Sequence, residues 1–166
     1  MPLFVSLLVI LADRVSKISI HRSMSVFDGI PIIPGWLRIV HTENPGAAFG
    51  FLAEGNPFLR TAVLLGISTL VLFFVASALW GRGSSFTGTG ARLALSFVLG
   101  GAAGNLYDRI AHGSVTDFIE VYHGTWSFPA FNVADSAITV GAILVLLDLL
   151  LHRQKGVEER AGFAPK

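Results

Sequence analysis

The chain has 166 residues, of which 52% are hydrophobic and 14% charged, against about 25% charged in ordinary soluble domains. A water-soluble fold of this length would leave a large apolar surface in water, where such patches aggregate, so an ordinary soluble domain is excluded. With no cysteine there is no disulfide, no thiolate nucleophile and no Cys-ligated metal site, and a net charge of +1 offers no basic patch for nucleic acid.

Crossing a bilayer as a helix takes about 20 apolar residues. In chain order, residues 2–20 open with eleven mainly apolar positions and then carry Asp13-Arg14-Val15-Ser16-Lys17. A cleaved signal peptide is the competing reading of this segment. It calls for positive charge before the apolar run, whereas Asp13, Arg14 and Lys17 follow it. Residues 21–57 form a long loop punctuated by Pro31, Pro34, Gly35, Pro45 and Gly46, within which residues 36–42 read as a strand. Residues 61–80 are a 20-residue span without a charge, and residues 81–91 are a plain Gly/Ser/Thr-rich connection. Residues 93–111 are apolar until Asp108 and Arg109. Residues 112–132 are partly β-like and aromatic, and residues 133–151 carry Asp135 near the start and Asp148 near the end. The expected architecture is a membrane all-α core of four transmembrane helices, one domain over residues 1–166, with a small extracytoplasmic β-element built by the outer loops 21–57 and 112–132.

Orientation follows from lysine and arginine in the connecting segments. With both termini cytoplasmic, Arg82, Arg92, Arg153, Lys155, Arg160 and Lys166 lie inside, while the outer loops hold Arg22 and Arg38. Arg14, Lys17 and Arg22 run against this count at the outer end of the first helix. Arg14 and Lys17 fall within the span and are read as serving a site.

Charged groups inside a bilayer are costly and usually face the protein interior. Asp13 and Lys17 are an i, i+4 pair, and Asn105, Asp108 and Arg109 form one stripe at the outer end of the third helix. Gly100 and Gly104 make a small-xxx-small pattern that lets helices approach closely. Asp117 follows the third helix and, taken alone, reads as a loop residue. Asp135 opens the fourth helix, where the macrodipole favours a carboxylate. Polar groups from four segments therefore converge near one membrane face.

The chain has no G-x-S-x-G elbow, no H-E-x-x-H pair and no phosphate-binding G-x-x-x-x-G-K-[ST] loop. Two aspartates remain as the plausible catalytic groups. Carboxylates held close together share one proton, so the ionised member can deprotonate water and the protonated member can donate to a carbonyl and a leaving amine. No metal or cofactor is called for. A proton-coupled transporter is the alternative, since intramembrane carboxylates also mark proton pathways. Against it, transporter sites usually lie at the midplane and often come with repeats, and neither feature is visible here.

Five motifs, in order and spacing, resemble those of bacterial lipoprotein signal peptidase (signal peptidase II). They are Asp13-Arg14-Val15-Ser16-Lys17, Asn44-Pro45-Gly46-Ala47-Ala48-Phe49, the run from Gly100 to Arg109, Val115-Thr116-Asp117-Phe118, and Phe131-Asn132-Val133-Ala134-Asp135-Ser136. The resemblance implies an aspartic endopeptidase of the bacterial inner membrane, free of cofactor and metal and acting as a monomer. Its partners would be membrane lipid, a diacylglyceryl-modified prolipoprotein cut just before the lipidated cysteine, and globomycin-type peptide inhibitors. By motif position, Asp117 and Asp135 would be the catalytic dyad, with Asn44, Asn105, Arg109 and Asn132 lining the site and orienting substrate. Asp13, Lys17, Gly46, Gly101, Gly104, Asp108 and Ala134 would support it. Arg14, Ser16 and the bulky Tyr107 depart slightly from the pattern. The outer-loop residues Trp36 and Trp126 are expected to help cover the bound peptide.

Overall fold

The computed structural model describes residues 1–46, 56–81 and 88–162, with side chains described through Leu151. Four helices, α1 (Pro2–Ser23), α2 (Pro57–Trp80), α3 (Thr89–His112) and α4 (Val133–Gly162), carry a sheet of β1 (Gly29–Ile33), β2 (Leu37–Asn44), β3 (Val115–His123) and β4 (Trp126–Ser127). Ala47, Ala48 and Phe49 of the second motif and Arg82 lie outside the described residues, as do the side chains of Arg153, Lys155, Arg160 and Lys166.

Helix ends follow local chemistry. Asn56 caps α2 by accepting the Phe58 and Leu59 N–H groups, with Pro57 in the first turn. Gly113, at φ 78°, closes α3 in the left-handed conformation and bonds back to the Arg109 carbonyl. Helix α3 lies at the centre and packs on α1, α2 and α4. The contacts are made by missing side chains: a Cβ on Gly100 would meet the Ser6 carbonyl of α1 at 2.7 Å, and one on Gly101 would meet the Ala134 carbonyl of α4 at 2.4 Å. Gly141 of α4 returns the arrangement against Ala94 of α3, at 2.6 Å.

Helices α2 and α4 (the latter over Val133–Leu151) are long and apolar enough to cross a membrane. Helices α1 and α3 are about as long, roughly 33 and 36 Å at 1.5 Å per residue, but carry charges. Several of those charges are turned inward. On α1, Asp13 and Lys17 are buried while Leu7, Leu11, Val15 and Ile18 form an exposed stripe. Polar inside and apolar outside is the reverse of a water-soluble helix.

The sheet runs β1-β2-β3-β4, each neighbour antiparallel. Strand β2 starts one residue inside the expected 36–42 segment, leaving Trp36 in the turn, and runs two residues further, to Asn44. Strand β1, with Pro31 inside it, pairs among the described residues with β2 alone, and an edge is where a proline is tolerated in a sheet. One expectation is corrected: Asp117 is a strand residue, paired with Thr42, and not part of a loop. An extra residue on β2 between Ile39 and Thr42 shifts the register beside it. The buried trio Ile20, Met24 and Phe118 fastens the end of α1 to β3.

Candidate active site

Strand β3 and the start of α4 bring Asp117 and Asp135 to one cleft of about 280 Å³. Asn44, Asn105 and Arg109 line it on the polar side, and Val115, Phe128, Pro129, Ala130, Ile138 and Thr139 on the other. Asn132 was expected to line the site as well. It is fully buried and stands behind the two carboxylates instead.

That placement makes Asn132 the hinge of the site. Its Nδ2 donates to Asp117 Oδ1 at 2.7 Å, its backbone N–H donates to Asp135 Oδ2 at 3.2 Å, and its Oδ1 accepts the Asp135 N–H at 2.9 Å. The last two bonds are the reciprocal pair of a capping box, so the turn that starts α4 also fixes the Asp135 carboxylate. Asn105 Nδ2 donates to Asp135 Oδ1 at 2.7 Å, and Asn44 Nδ2 donates to Asp117 Oδ2 at 3.0 Å. Each carboxylate is thus gripped at both oxygens by neutral amides. Burial, and then the negative charge of Asp135, push the Asp117 carboxyl up to about 6, against the partial relief given by Asn44 and Asn132.

Behind the cleft lies a second, sealed group. Lys17 Nζ uses all three of its protons, on Asp13 Oδ2 at 2.7 Å, Asn105 Oδ1 at 3.0 Å and Asp108 Oδ2 at 2.6 Å. Asp13 Oδ1 accepts the Ala134 N–H at 3.0 Å and so holds the first turn of α4 from another helix. Arg14 pairs with the other Asp108 oxygen and lies 4.5 Å from the Tyr107 ring centroid. Two of the three positions that depart from the family pattern therefore touch each other. Gly104 leaves room for this group, since a Cβ there would stand 2.9 Å from Asp13 Oδ2.

Arg109 donates to the Asn105 carbonyl at 3.3 Å and the Gly46 carbonyl at 3.1 Å, while its buried Nε has no partner among the described residues. Gly46 in turn gives its N–H to Asn44 Oδ1 at 2.9 Å. Trp36 and Trp126, expected to help cover a peptide, do not line the cleft; residues 128–130 form its wall. Sequence reasoning missed Thr116, whose carbonyl accepts from Asn132 at 3.4 Å. It missed Glu43 too, which only strand pairing brings to Thr116.

Two solved structures share this architecture, both titled as bacterial membrane enzymes. One superposes with a TM-score of 0.79 at 28% identity, covering 99% of this chain and 92% of the other. The second gives 0.76 at 30% identity, covering 90% and 92%. The fold is therefore that of a bacterial membrane enzyme. The family profile described as signal peptidase (SPase) II matches residues 5–151. Proteins named lipoprotein signal peptidase are 42% identical in Solibacter usitatus, over 91% of each chain, and 43% identical in Pseudomonas fluorescens, over 93% of this chain and 89% of that one. The chain belongs to the signal peptidase II family and is an aspartic peptidase. Family membership gives the transporter alternative no support.

Proposed function

We propose that Asp117 and Asp135 are the dyad with which this signal peptidase II removes the signal peptide of a prolipoprotein. The observation that carries the assignment is Asn132, one buried amide bonded to both carboxylates across a single cleft. In the reactive form the pair holds one proton between them. A water seated between them loses a proton to the ionised member as its oxygen attacks the scissile carbonyl carbon. The protonated member then gives its proton to the carbonyl oxygen, and on collapse of the tetrahedral intermediate a proton passes to the leaving amine. Asn44 and Asn105 hold the carboxylates in place, and Arg109 and Asn105 orient the substrate backbone.

The reading takes all four helices across the inner membrane, with both termini cytoplasmic and the cleft near the extracytoplasmic face. It is supported by the inward charges and outward apolar stripe of α1. The substrate would enter sideways, its diacylglyceryl chains staying in lipid past Phe128, Ile138 and Thr139 while the peptide just before the modified cysteine meets the dyad. Globomycin-type peptides would compete for the same cleft, and the enzyme would act as a monomer.

The test is hydrolysis of a diacylglyceryl-modified lipobox peptide in detergent. Asp117→Asn and Asp135→Asn should each lose turnover while keeping the helical content of the parent. Native-rate cleavage by either variant overturns the dyad. A reporter fused after Lys166 should be active on the cytoplasmic side, and activity on the other side would invert the topology.

A further inference from the structure

Side chains alternate across a strand, so Glu43 and Thr116 project to the face of the β2–β3 ladder opposite Asn44 and Asp117. On that face, outside the cleft, His21 from the last turn of α1 meets His41 and Glu43 from β2. One ligating atom of each lies within 4.8 Å of the other two.

The hydrogen bonding there leaves two acceptors facing each other. A carbonyl only accepts, so His41 Nδ1, 2.9 Å from the Met24 carbonyl, carries that ring's proton. The Nε2 lone pair of the neutral ring then points at Glu43 Oε1, 3.3 Å away. The Ser114 hydroxyl donates to Glu43 Oε2 at 2.6 Å and the Thr116 hydroxyl to Oε1, donors that suit a carboxylate at both oxygens. An imidazole lone pair against a carboxylate is repulsive unless a cation sits between them.

His21 completes the set. The Thr116 hydroxyl donates to Glu43 Oε1 at 3.0 Å, so His21 Nε2, 2.9 Å from Thr116 Oγ1, is the donor there. Moving that proton to Nδ1, a change of tautomer without ionisation, frees a second lone pair. Ligand atoms on a tetrahedral zinc, at bonds of about 2.0–2.1 Å, stand about 3.3 Å apart. The two histidine Nε2 atoms lie 3.3 Å and 3.7 Å from Glu43 Oε1. A backbone carbonyl on the far nitrogen, as Met24 provides for His41, is the usual device that orients a metal-bound histidine. Two imidazoles and one carboxylate suit zinc among common divalent ions.

We infer that His21, His41 and Glu43 bind one zinc-class divalent cation, which ties the end of α1 to the strand that carries Asn44. The ion is a structural clip, separate from the aspartates that carry the proposed chemistry.

The experiment uses the full chain without an affinity tag, stripped of metal in detergent and titrated with Zn2+ by calorimetry and with Co2+ by visible spectroscopy. One equivalent should bind per chain, with the ligand-field bands of four-coordinate cobalt, and Zn2+ should raise Tm. His21→Gln and His41→Gln should each weaken binding by more than the roughly 10–100-fold that loss of an outer-shell partner costs and abolish the Tm shift, whereas Asp117→Asn should bind as the parent does. His21 is nearly half exposed, so its variant carries the test if His41→Gln does not fold. No stoichiometric uptake by the parent overturns the site, as would a neutral-pH His41 imidazolium in its place. Uptake unchanged in His21→Gln puts the ion elsewhere, and uptake lost in Asp117→Asn puts it in the cleft. Either result fails this inference while leaving the dyad to its own hydrolysis test.

Discussion

Two acidic groups lie a few ångströms apart in this molecule and are treated in opposite ways. Behind the cleft, Asp13 and Asp108 are bonded to Lys17 and, for Asp108, also to Arg14. In the cleft, Asp117 and Asp135 are held by amides, and among the described residues no cation bonds either of them. The first group is neutralised and closed to water. The second keeps like charges together in a partly dry site, which raises the proton affinity of Asp117. Asn105 joins the two, with its carbonyl oxygen on Lys17 and its amide on Asp135. The same residue type serves architecture where a cation bonds it directly and is left poised for chemistry where only amides do.

The sharpest way to break this contrast is to ask whether the cleft aspartates act as a unit. General acid and general base contributions of about 10²–10⁴-fold each are typical, so either Asp→Asn variant should lower kcat by about 10⁴-fold, near 5.5 kcal/mol. The double variant should be no worse than either single one, as for groups that share one step. Effects that add would mean two independent sites.

In the closed group the expected loss is of stability. Lys17→Met leaves Asp13 and Asp108 buried without their common partner, and breaking such a pair costs about 3–5 kcal/mol. Thermal unfolding in detergent should show the fall. A variant as stable as the parent would remove the claim that Lys17 holds α1 to α3.

The difference also has a pH signature. Asp117 binds its proton more tightly in the folded chain, with a pKa of about 6 against an ordinary 3.8. Its contribution to stability is therefore full below about 3.8 and is lost as pH rises through about 6. Asp117→Asn lacks this loss. The stability difference between variant and parent should shift in favour of the variant by about 2–3 kcal/mol between pH 3.5 and 7.5. Unfolding curves for both proteins across that range check it, and parallel curves would mean that Asp117 is not under this strain.

Much of this was legible in the sequence, because membrane burial makes every polar residue conspicuous. Asp13, Lys17, Asn105, Asp108, Arg109 and Asp135 stood out against apolar surroundings, whereas Asp117 alone read as a loop residue and drew notice by lying level with them; the structure brings these residues into two neighbouring groups. The strand around Asp117 was harder to see. Residues 115–118 are buried on both faces, so the period-2 alternation that marks a half-exposed strand is missing. Strand β1 was hidden by Pro31, which reads as a breaker until the strand is known to lie at an edge. The His21, His41 and Glu43 cluster depends on strand pairing and on where α1 ends, which no local pattern encodes. Asn132 was singled out, yet its double grip uses its own backbone N–H, a partner that residue type does not reveal.

The smallest expected effect tests how rigid the closed group is. A methyl on Gly104 would press on Asp13 Oδ2, the oxygen that receives Lys17, while the other Asp13 oxygen holds the Ala134 N–H one residue before Asp135. Asp13 has no free direction in which to yield without loosening one of those bonds. Gly104→Ala should therefore destabilise by about 1–2 kcal/mol, at the lower end of overpacking costs because alanine also favours the helix. Gly66, in the middle of α2 with open space where its Cβ would be, is the matched control, and Gly66→Ala should be neutral or slightly stabilising. Turnover should fall severalfold in the first variant and stay level in the second, because only the first moves the turn that presents Asp135. Equal stability and equal turnover in both would mean that Asp13 has slack, and that the ion pairs behind the cleft do not set the position of the carboxylate in front.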